Sequence, residues 1–226
     1  MQIWTHRGNP GPENTIEGFS KAWLDGIRFF ETDLHCTSDG VLVLAHDSDI
    51  SRLTGVQRKI RDLTWNELRK YKIQGQFNWT TLDELHNQFK PDRISLDIKS
   101  KEAVKPFLDW AGGKDLEHYV VGSFSAKRVV QVRNAYPQLK TALTPKEVLL
   151  IATGLGHLLP EHRAERVAMV PPRFNGFKIL NQSFISFCSK NKIEINVWTI
   201  NSQEEFDLIR HLEINGIITD KYHQFI

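Results

Sequence analysis

Residues 2–26, QIWTHRGNPGPENTIEGFSKAWLDG, hold a short apolar strand, a loop rich in Gly, Pro and Asn, and an amphipathic helix. Within the helix, Ile16, Phe19 and Trp23 fall three and four residues apart, so their side chains share one face. Gly26 stands where such a helix is expected to end. The stretch is one strand–helix unit, and a chain made of such units is an α/β protein.

The strand–helix unit recurs along the chain. Short apolar or β-branched runs predict strands at 2–6, 27–33, 94–98, 119–124, 139–143, 166–170, 194–200 and 216–219. Ser or Thr with Glu three residues later predicts helices that begin after Thr64, Thr81, Thr144 and Ser202. Eight strands joined by helices form a parallel sheet, and eight is the number that closes a barrel.

We therefore predict an α/β fold, a (β/α)8 TIM barrel that residues 1–226 form as one domain. An open doubly wound sheet is the alternative, but it lacks support because no Gly-rich fingerprint follows the first strand.

A small hairpin and helical excursion is expected after the second strand. Residues 34–47, LHCTSDGVLVLAHD, form two extended runs around Asp39-Gly40, which is a strong hairpin signal. The second arm is either part of this hairpin or a ninth barrel strand. The region 48–79 is the least regular, with one helix expected around 65–72.

The register of the hairpin decides which carboxylate faces the second histidine. A two-residue turn at 38–39 pairs Glu31 with His46, whereas a turn at 39–40 pairs Asp33 with His46. Either register brings His46 to the two carboxylates.

Composition excludes several classes of protein. Lys and Arg number 29 against 27 Asp and Glu, and no basic block is long enough to favour nucleic acid as a partner. No apolar run reaches the roughly 18 residues of a membrane span, so no integral membrane association is expected. The first strand begins too early for a signal peptide, and two lone cysteines suit a reducing compartment. The expected location is the cytoplasm, and the oligomeric state is not predicted.

Ionisable side chains stand at the C-terminal ends of the predicted strands, which form the functional face of a barrel. The residues at these ends and in the hairpin that matter below are His6, Arg7, Glu31, Asp33, His46, Asp97 and Lys99, with the aromatic Trp198 beside them.

Ordered motifs run from the first strand to the last. They are His6-Arg7-Gly8, Pro12-Glu13-Asn14-Thr15, Glu31-x-Asp33, Thr37-x-Asp39-Gly40, His46-Asp47, Arg52-x-Thr54-Gly55, Leu82-Asp83-Glu84, Asp97-Ile98-Lys99, Ser123-Phe124, Trp198-Thr199-x-Asn201 and Thr219-Asp220. In this order and spacing they resemble the glycerophosphodiester phosphodiesterase family. The resemblance implies a TIM barrel of the phospholipase-C-like phosphodiesterase type. It also implies hydrolysis of glycerophosphodiesters, which are deacylated phospholipids, to an alcohol and glycerol 3-phosphate with the help of a divalent metal.

The hydrolysis of a phosphodiester needs the residue types found here. The anionic oxygens need cations, and the two sides of phosphorus need a proton acceptor and a proton donor. Arg7 and Lys99 are the candidates for binding the phosphate, with Trp198 as a wall of the substrate pocket. His6 and His46 are the candidate catalytic pair, because an imidazole titrates near neutral pH. The resemblance assigns the same roles to these positions.

Three carboxylates form the candidate metal site. Glu31 and Asp33 are two residues apart in one strand, so they share a face on which two like charges need a cation. With Asp97 they form an all-oxygen set that suits Mg²⁺ or Ca²⁺. The family most often has Glu at the position of Asp97, and this departure bears on the identity and affinity of the metal.

Two other functions are alternatives. One is a lysophospholipase-D or sphingomyelinase-D-like phosphodiesterase, for an intact lipid whose acyl chain lies across Phe174 and Phe177. The other is a non-catalytic barrel that binds a phosphorylated ligand.

Three further polar residues carry weaker expectations. Glu13 and Asn14 come just before the first helix and serve either its N-terminal cap or the site. His35 has no evident partner in the sequence and is expected at the surface.

Overall fold

The computed structural model describes residues 1–159 and 165–226. Its strands are β1 (Gln2–His6), β2 (Phe29–Cys36), β3 (Leu42–Leu44), β4 (Arg93–Ile98), β5 (Tyr119–Gly122), β6 (Lys140–Ala142), β7 (Arg166–Val170), β8 (Arg173–Phe174), β9 (Phe177–Lys178), β10 (Glu194–Val197) and β11 (Gly216–Thr219). Its α-helices are α1 (Ile16–Leu24), α2 (Ser51–Thr54), α3 (Trp65–Leu68), α4 (Leu82–Gln88), α5 (Val104–Ala111), α6 (Ala126–Ala135), α7 (Pro145–Ala152), α8 (Gln182–Lys190) and α9 (Gln203–Asp207). Short 3₁₀ turns lie at Ile60–Asp62, Gly156–Leu158 and Tyr222–Gln224.

Parallel strands close into a barrel in the order β1, β2, β4, β5, β6, β7, β10, β11, with β11 paired to β1. The predicted TIM barrel is confirmed. The strand predicted at 27–33 differs most, since β2 spans Phe29–Cys36. It begins later because the N–H of Ile27 still donates to the carbonyl of Ala22 in α1 at 2.9 Å. It ends later because the hairpin partner extends it to Cys36.

The hairpin after β2 has a register that neither predicted turn allows. Leu34 pairs with Leu44 and Cys36 with Leu42, so both predicted registers are wrong. The cause is a loop of three residues, 38–40, which the N–H of Thr37 closes by donating to the carbonyl of Val41 at 3.0 Å. The last loop residue, a glycine, takes a φ of +86°, which a side chain would strain.

The second arm of the hairpin is not a ninth barrel strand. Among the described strands, β3 pairs with β2 alone and runs antiparallel to it. The excursion and β3 share a core of their own, in which Val43, Ile50, Ile60, Leu68 and Trp79 are buried. The expected excursion is therefore present, although its helix α3 ends at Leu68, short of the predicted end.

A second hairpin, formed by β8 and β9, was missed in the sequence. Arg173 pairs with Lys178 and Phe174 with Phe177, just beyond the end of β7. Asn175-Gly176 makes the turn with positive φ values of 48° and 82°, the geometry for which this dipeptide is strongly preferred.

Helix starts follow the sequence closely. Capping boxes are present at Thr64, Thr81, Thr144 and Ser202, as predicted. Phe19 of α1 is buried and packs on Phe30 of β2, with 5.1 Å between ring centroids. Within the described residues, no helix is both long and apolar enough to cross a membrane.

Candidate active site

His6 ends β1, and the barrel register places an acid on each side of it. It pairs with Glu31 of β2, and its Nε2 lies 3.7 Å from Glu31 Oε2. On the other side, Thr5 pairs with Thr219 of β11, so Asp220 is close enough for its Oδ1 to lie 2.7 Å from His6 Nδ1. Burial alone would lower the pKa of His6, but the hydrogen bond to Asp220 and the charge of Glu31 raise it. His6 therefore donates through Nδ1 and keeps Nε2 on the side of Glu31.

Asp220 is held by two amides besides His6. Asn9 Nδ2 donates to Oδ1 at 2.8 Å, and Asn201 Nδ2 donates to Oδ2 at 2.7 Å. The amide of Asn201 is fixed in turn, because its Oδ1 accepts the backbone N–H of Asp220 at 2.9 Å. Burial opposes ionisation of Asp220, but the hydrogen bond and charge of His6, with the amides, lower its pKa to about 2.

His46 has the same kind of support. The preceding residue, Ala45, donates its N–H to the carbonyl of Asp33 at 3.0 Å, which brings the histidine to the barrel mouth. His46 Nδ1 lies 2.7 Å from Asp47 Oδ1 and donates to it. Both histidines thus have Nδ1 on a carboxylate, which leaves Nε2 free to exchange a proton.

Arg52 in α2 joins the excursion to the first strand–helix loop. Its Nε donates to Asp47 Oδ2 at 2.6 Å. Its two Nη atoms donate to the two carboxylate oxygens of Glu13 at 3.0 and 2.6 Å. Glu13 therefore belongs to the site, and the cap of α1 is Thr15, whose hydroxyl accepts the N–H of Gly18.

The three predicted metal ligands lie on the neighbouring strands β2 and β4. Asp33 and Asp97 are register partners, and Glu31 is two residues before Asp33. Lys99 Nζ lies 2.9 Å from Asp33 Oδ1 and 2.7 Å from Asp97 Oδ2. Arg7 Nε lies 2.8 Å from Asp33 Oδ2 as an ion pair without hydrogen-bond alignment. Both oxygens of Asp33 are therefore next to cations.

The carboxylates differ in ionisation. Burial and the charge of Asp33 raise the pKa of Glu31 to about 7. Burial acts in the same direction on Asp33, but Lys99 and Arg7 lower its pKa below the usual value.

Two buried oxygens of the carboxylates have no hydrogen-bond partner among the residues that the structure describes. They are Glu31 Oε2 and Asp97 Oδ1. Across residues 1–159 and 165–226, no three His, Cys, Asp or Glu side chains converge closely enough to enclose an ion. The cluster therefore has spare hard oxygens, while the third carboxylate, Asp33, is engaged by Arg7 and Lys99.

Asn14 links the first loop to β2. Its Oδ1 accepts the hydroxyl of Thr32 at 2.7 Å, and its Nδ2 lies 3.5 Å from Asp33 Oδ2. Its φ of 55° is in the left-handed region, which Asn tolerates better than most residues. Like Glu13, it serves the site and not the cap.

Trp198 lies at the mouth of the barrel beside the end of β7. Its backbone N–H donates to the carbonyl of Val170 at 3.1 Å. Its ring meets Phe124 edge-on with 6.0 Å between centroids, and Lys99 Nζ is 5.7 Å from the Phe124 ring. The predicted pocket wall thus adjoins the predicted phosphate-binding lysine.

The motifs include Asp47, Asp220, Arg52 and Asn201, but no role was predicted for these four residues from the sequence. Asp220 and Asp47 contact the histidines, and Asn201 and Arg52 hold those two carboxylates. Two signals point to them: Asp220 follows the last strand, which neighbours the first in a closed barrel, and Asp47 directly follows His46. The expectation for His35 was wrong, since it is buried with Nε2 3.3 Å from the carbonyl of His46.

Comparison with known proteins agrees with this geometry. The family model for the glycerophosphoryl diester phosphodiesterase family matches residues 6–224. A glycerophosphodiester phosphodiesterase of Caldanaerobacter subterraneus subsp. tengcongensis is 28% identical over 235 residues, which cover 96% of this chain and 93% of that protein. A lysophospholipase D of Homo sapiens is 24% identical, with 96% and 82% covered.

Among solved structures, a glycerophosphodiester phosphodiesterase from Thermotoga maritima matches with a TM-score of 0.79 and 28% identity. The match covers 99% of this chain and 96% of that one. The closed barrel and a family match over nearly the whole chain agree. The chain therefore belongs to the glycerophosphoryl diester phosphodiesterase family and is an enzyme of that family.

Proposed function

We propose that this enzyme hydrolyses glycerophosphodiesters to an alcohol and glycerol 3-phosphate, with His6 and His46 as its acid–base pair. The observation that carries the proposal is the pair of Nδ1 contacts, each 2.7 Å long, to Asp220 and Asp47. A carboxylate on Nδ1 fixes the imidazole tautomer and leaves Nε2 to take or give a proton. One Nε2 removes the proton from the attacking oxygen, and the other protonates the leaving oxygen so that the alcohol departs. The attacking oxygen is either water or the substrate's own glycerol hydroxyl, in which case water then opens the resulting cyclic phosphate.

Arg7 and Lys99 bind the non-bridging oxygens of the phosphate. Both are at least four-fifths buried and lie beside Asp33, so their charges are held at the mouth before substrate arrives. A guanidinium presents donors that match phosphate oxygens, and an ammonium adds a point charge. As negative charge grows on these oxygens in the transition state, such fixed cations stabilise it more than water does.

Glu31 and Asp97 would hold a divalent cation, Mg²⁺ or Ca²⁺, with Asp33. The residues fit because Glu31 Oε2 and Asp97 Oδ1 are buried hard oxygens without a hydrogen-bond partner. Such an ion, when bound, supplies positive charge to the phosphate oxygens. Asp33 would complete the ligand set, with its charge also shared by Arg7 and Lys99.

Trp198 forms one wall of the pocket for the glycerol or alcohol group. Its ring and that of Phe124 stand edge to face at the mouth, beside Lys99. The pocket belongs to a single domain and to a cytoplasmic enzyme, which the two buried free cysteines, Cys36 and Cys188, support.

A second candidate function is lysophospholipase D activity. It is supported by the exposed side chains of Phe174 and Phe177, which offer apolar surface near the mouth, and by the name of the human relative.

The test compares kcat/KM for glycerophosphocholine and glycerophosphoethanolamine with that for lysophosphatidylcholine, and identifies the products. We expect choline or ethanolamine with glycerol 3-phosphate, and a higher kcat/KM for the deacylated substrates. A strong preference for the acylated substrate would assign the second function to the same site. Binding of these compounds without turnover would make the barrel a binding protein.

A further inference from the structure

The exposed aromatic side chains of the described chain all lie at one end of the barrel. They are Phe124, Phe174 and Phe177, with 56%, 49% and 42% of their surface exposed. Phe124 follows β5, and the other two form the β8–β9 hairpin after β7. All three therefore surround the C-terminal ends of the strands, where the catalytic histidines lie. Water-soluble deacylated substrates do not account for so much exposed aromatic surface at this end of the barrel.

The hairpin carrying two of these rings is held firmly at its base. The N–H of Ile179 donates to the carbonyl of Pro172 at 3.0 Å, and Asn181 Nδ2 donates to the carbonyl of Lys178 at 3.2 Å. Ile179 is buried, so the chain returns directly to the core. Phe174 and Phe177 are cross-strand partners beside the Asn175-Gly176 turn, and they are presented together on an ordered support.

The charge of the hairpin is positive. Residues 171–178, PPRFNGFK, contain Arg173 and Lys178 and no acidic residue. Within the described chain, Arg173 donates only to the carbonyl of Gly176 at 3.3 Å, and Lys178 forms no ion pair. The hairpin thus places two basic side chains, Arg173 and Lys178, next to two exposed aromatic rings. This arrangement is complementary to a surface that is anionic on the outside and apolar beneath.

We infer that the β8–β9 hairpin docks the barrel mouth on an anionic lipid bilayer, with Phe174 and Phe177 inserted among the lipids. Arg173 and Lys178 then contact the anionic head groups, each contributing roughly fivefold to the partition coefficient at low salt. Each ring that leaves water contributes roughly tenfold. Because the site opens at this end of the barrel, docking faces it toward the membrane from which its substrates come.

The test is co-sedimentation of the full-length protein with vesicles, measured without turnover, so that it does not depend on the proposed reaction. Vesicles contain phosphatidylcholine alone or equal parts of phosphatidylcholine and phosphatidylglycerol. We expect binding to the mixed vesicles only, and weaker binding as salt is added. The double variant Phe174→Ser/Phe177→Ser is expected to lose at least about tenfold in affinity, and Arg173→Gln/Lys178→Gln to lose the preference for phosphatidylglycerol.

Leu24→Ser is the matched control, because Leu24 is 83% exposed but ends α1 at the opposite end of the barrel. It should bind as wild type does, and its kcat/KM for glycerophosphocholine should be unchanged. Three outcomes would overturn the inference: wild-type protein that does not sediment, equal binding to both vesicles, or a phenylalanine variant that binds as wild type does. A wild-type dimer that the phenylalanine variant dissociates would instead assign the hairpin to a second copy of the chain.

Discussion

Asp220→Asn should disable His6 through its tautomer while leaving the fold intact. Asn201 is fixed by the backbone N–H of residue 220 and donates its Nδ2 to Oδ2 of Asp220. With its carbonyl oxygen toward the anchored Asn201, the introduced NH₂ faces His6 Nδ1 and the amide of Asn9. The Asn9 amide has no other side-chain hydrogen bond within the described chain, so it turns its Oδ1 to accept from this NH₂. His6 Nδ1 becomes an acceptor, the proton moves to Nε2, and Nε2 no longer accepts a proton.

The magnitude follows from the hydrogen bond that is lost. The substitution removes the hydrogen bond of His6 to a charged group, worth about 1.5–3 kcal/mol, and returning the proton to Nδ1 sets two donors against each other. A cost of about 3 kcal/mol corresponds to a loss of roughly 10²-fold in kcat. The side chain of Asp220 is 33% exposed, so water relieves part of this cost and 10²-fold is an upper figure for this contribution.

The assay is kcat for glycerophosphocholine hydrolysis, with ¹⁵N chemical shifts of the histidine side chains to read the tautomer. Asp115→Asn is the control, because Asp115 is exposed and lies before β5, at the other end of the barrel. We expect Asp220→Asn to move the proton of His6 from Nδ1 to Nε2 and the control to change neither readout. A kcat within twofold of wild type, despite the moved proton, would refute the reasoning.

Three further changes have defined outcomes. Arg52→Ala should lower kcat about tenfold at similar KM because the second histidine loses its support, whereas Arg61→Ala, also an arginine about half exposed, should not. Glu147→Ala removes the carboxylate that pairs with the partly buried Arg133 and Arg166. It should lower the melting temperature by roughly 6–12 °C, which corresponds to about 3 kcal/mol. The control Glu204→Ala should cause no measurable change. Burial raises the pKa of Glu147, but the hydrogen bond and charge of Arg133 outweigh burial, and the net pKa is lowered. The stability that this ion pair gives to wild type should therefore be lost as the pH falls below the ordinary value of 4.5. Asp97→Glu should keep or increase the rise in melting temperature caused by Mg²⁺ or Ca²⁺, and chelator should abolish that rise; a protein whose melting temperature ignores both ions would contradict the metal site.

The barrel was predictable because its signals are local and repeated. Capping boxes and the apolar face of α1 depend on residues three and four apart, and the structure has them where the sequence has them. The hairpin register was not predictable from the Asp-Gly pair alone. It depends on whether Thr37 closes a loop of two or three residues, and the structure has three. The Asn175-Gly176 turn could have been predicted from this dipeptide, but it was not.

The candidate site was predictable in membership but not in contacts. Residues at strand ends share one face of any barrel, so the placement of Glu31 near His6 follows from topology. The group that orients His6 lies 214 residues away, at Asp220, so no local pattern gives that contact. The group that orients His46 is its neighbour Asp47, but adjacency alone does not show that the two side chains meet.

The contacts of Asp33 were not predictable either. Its two oxygens lie beside the cations of Arg7 and Lys99, and within the described residues the carboxylates do not converge into a metal site.

The most direct test of the central claim is hydrolysis of glycerophosphocholine by wild type, His6→Ala, His46→Ala and the double variant. If the two histidines act on opposite sides of one phosphorus, each single variant should lose roughly 10²-fold or more in kcat. The double variant should then lose little more than either single variant, because the pair works as a unit. Wild-type activity in His46→Ala, with correct folding shown by an unchanged melting temperature, would contradict the account.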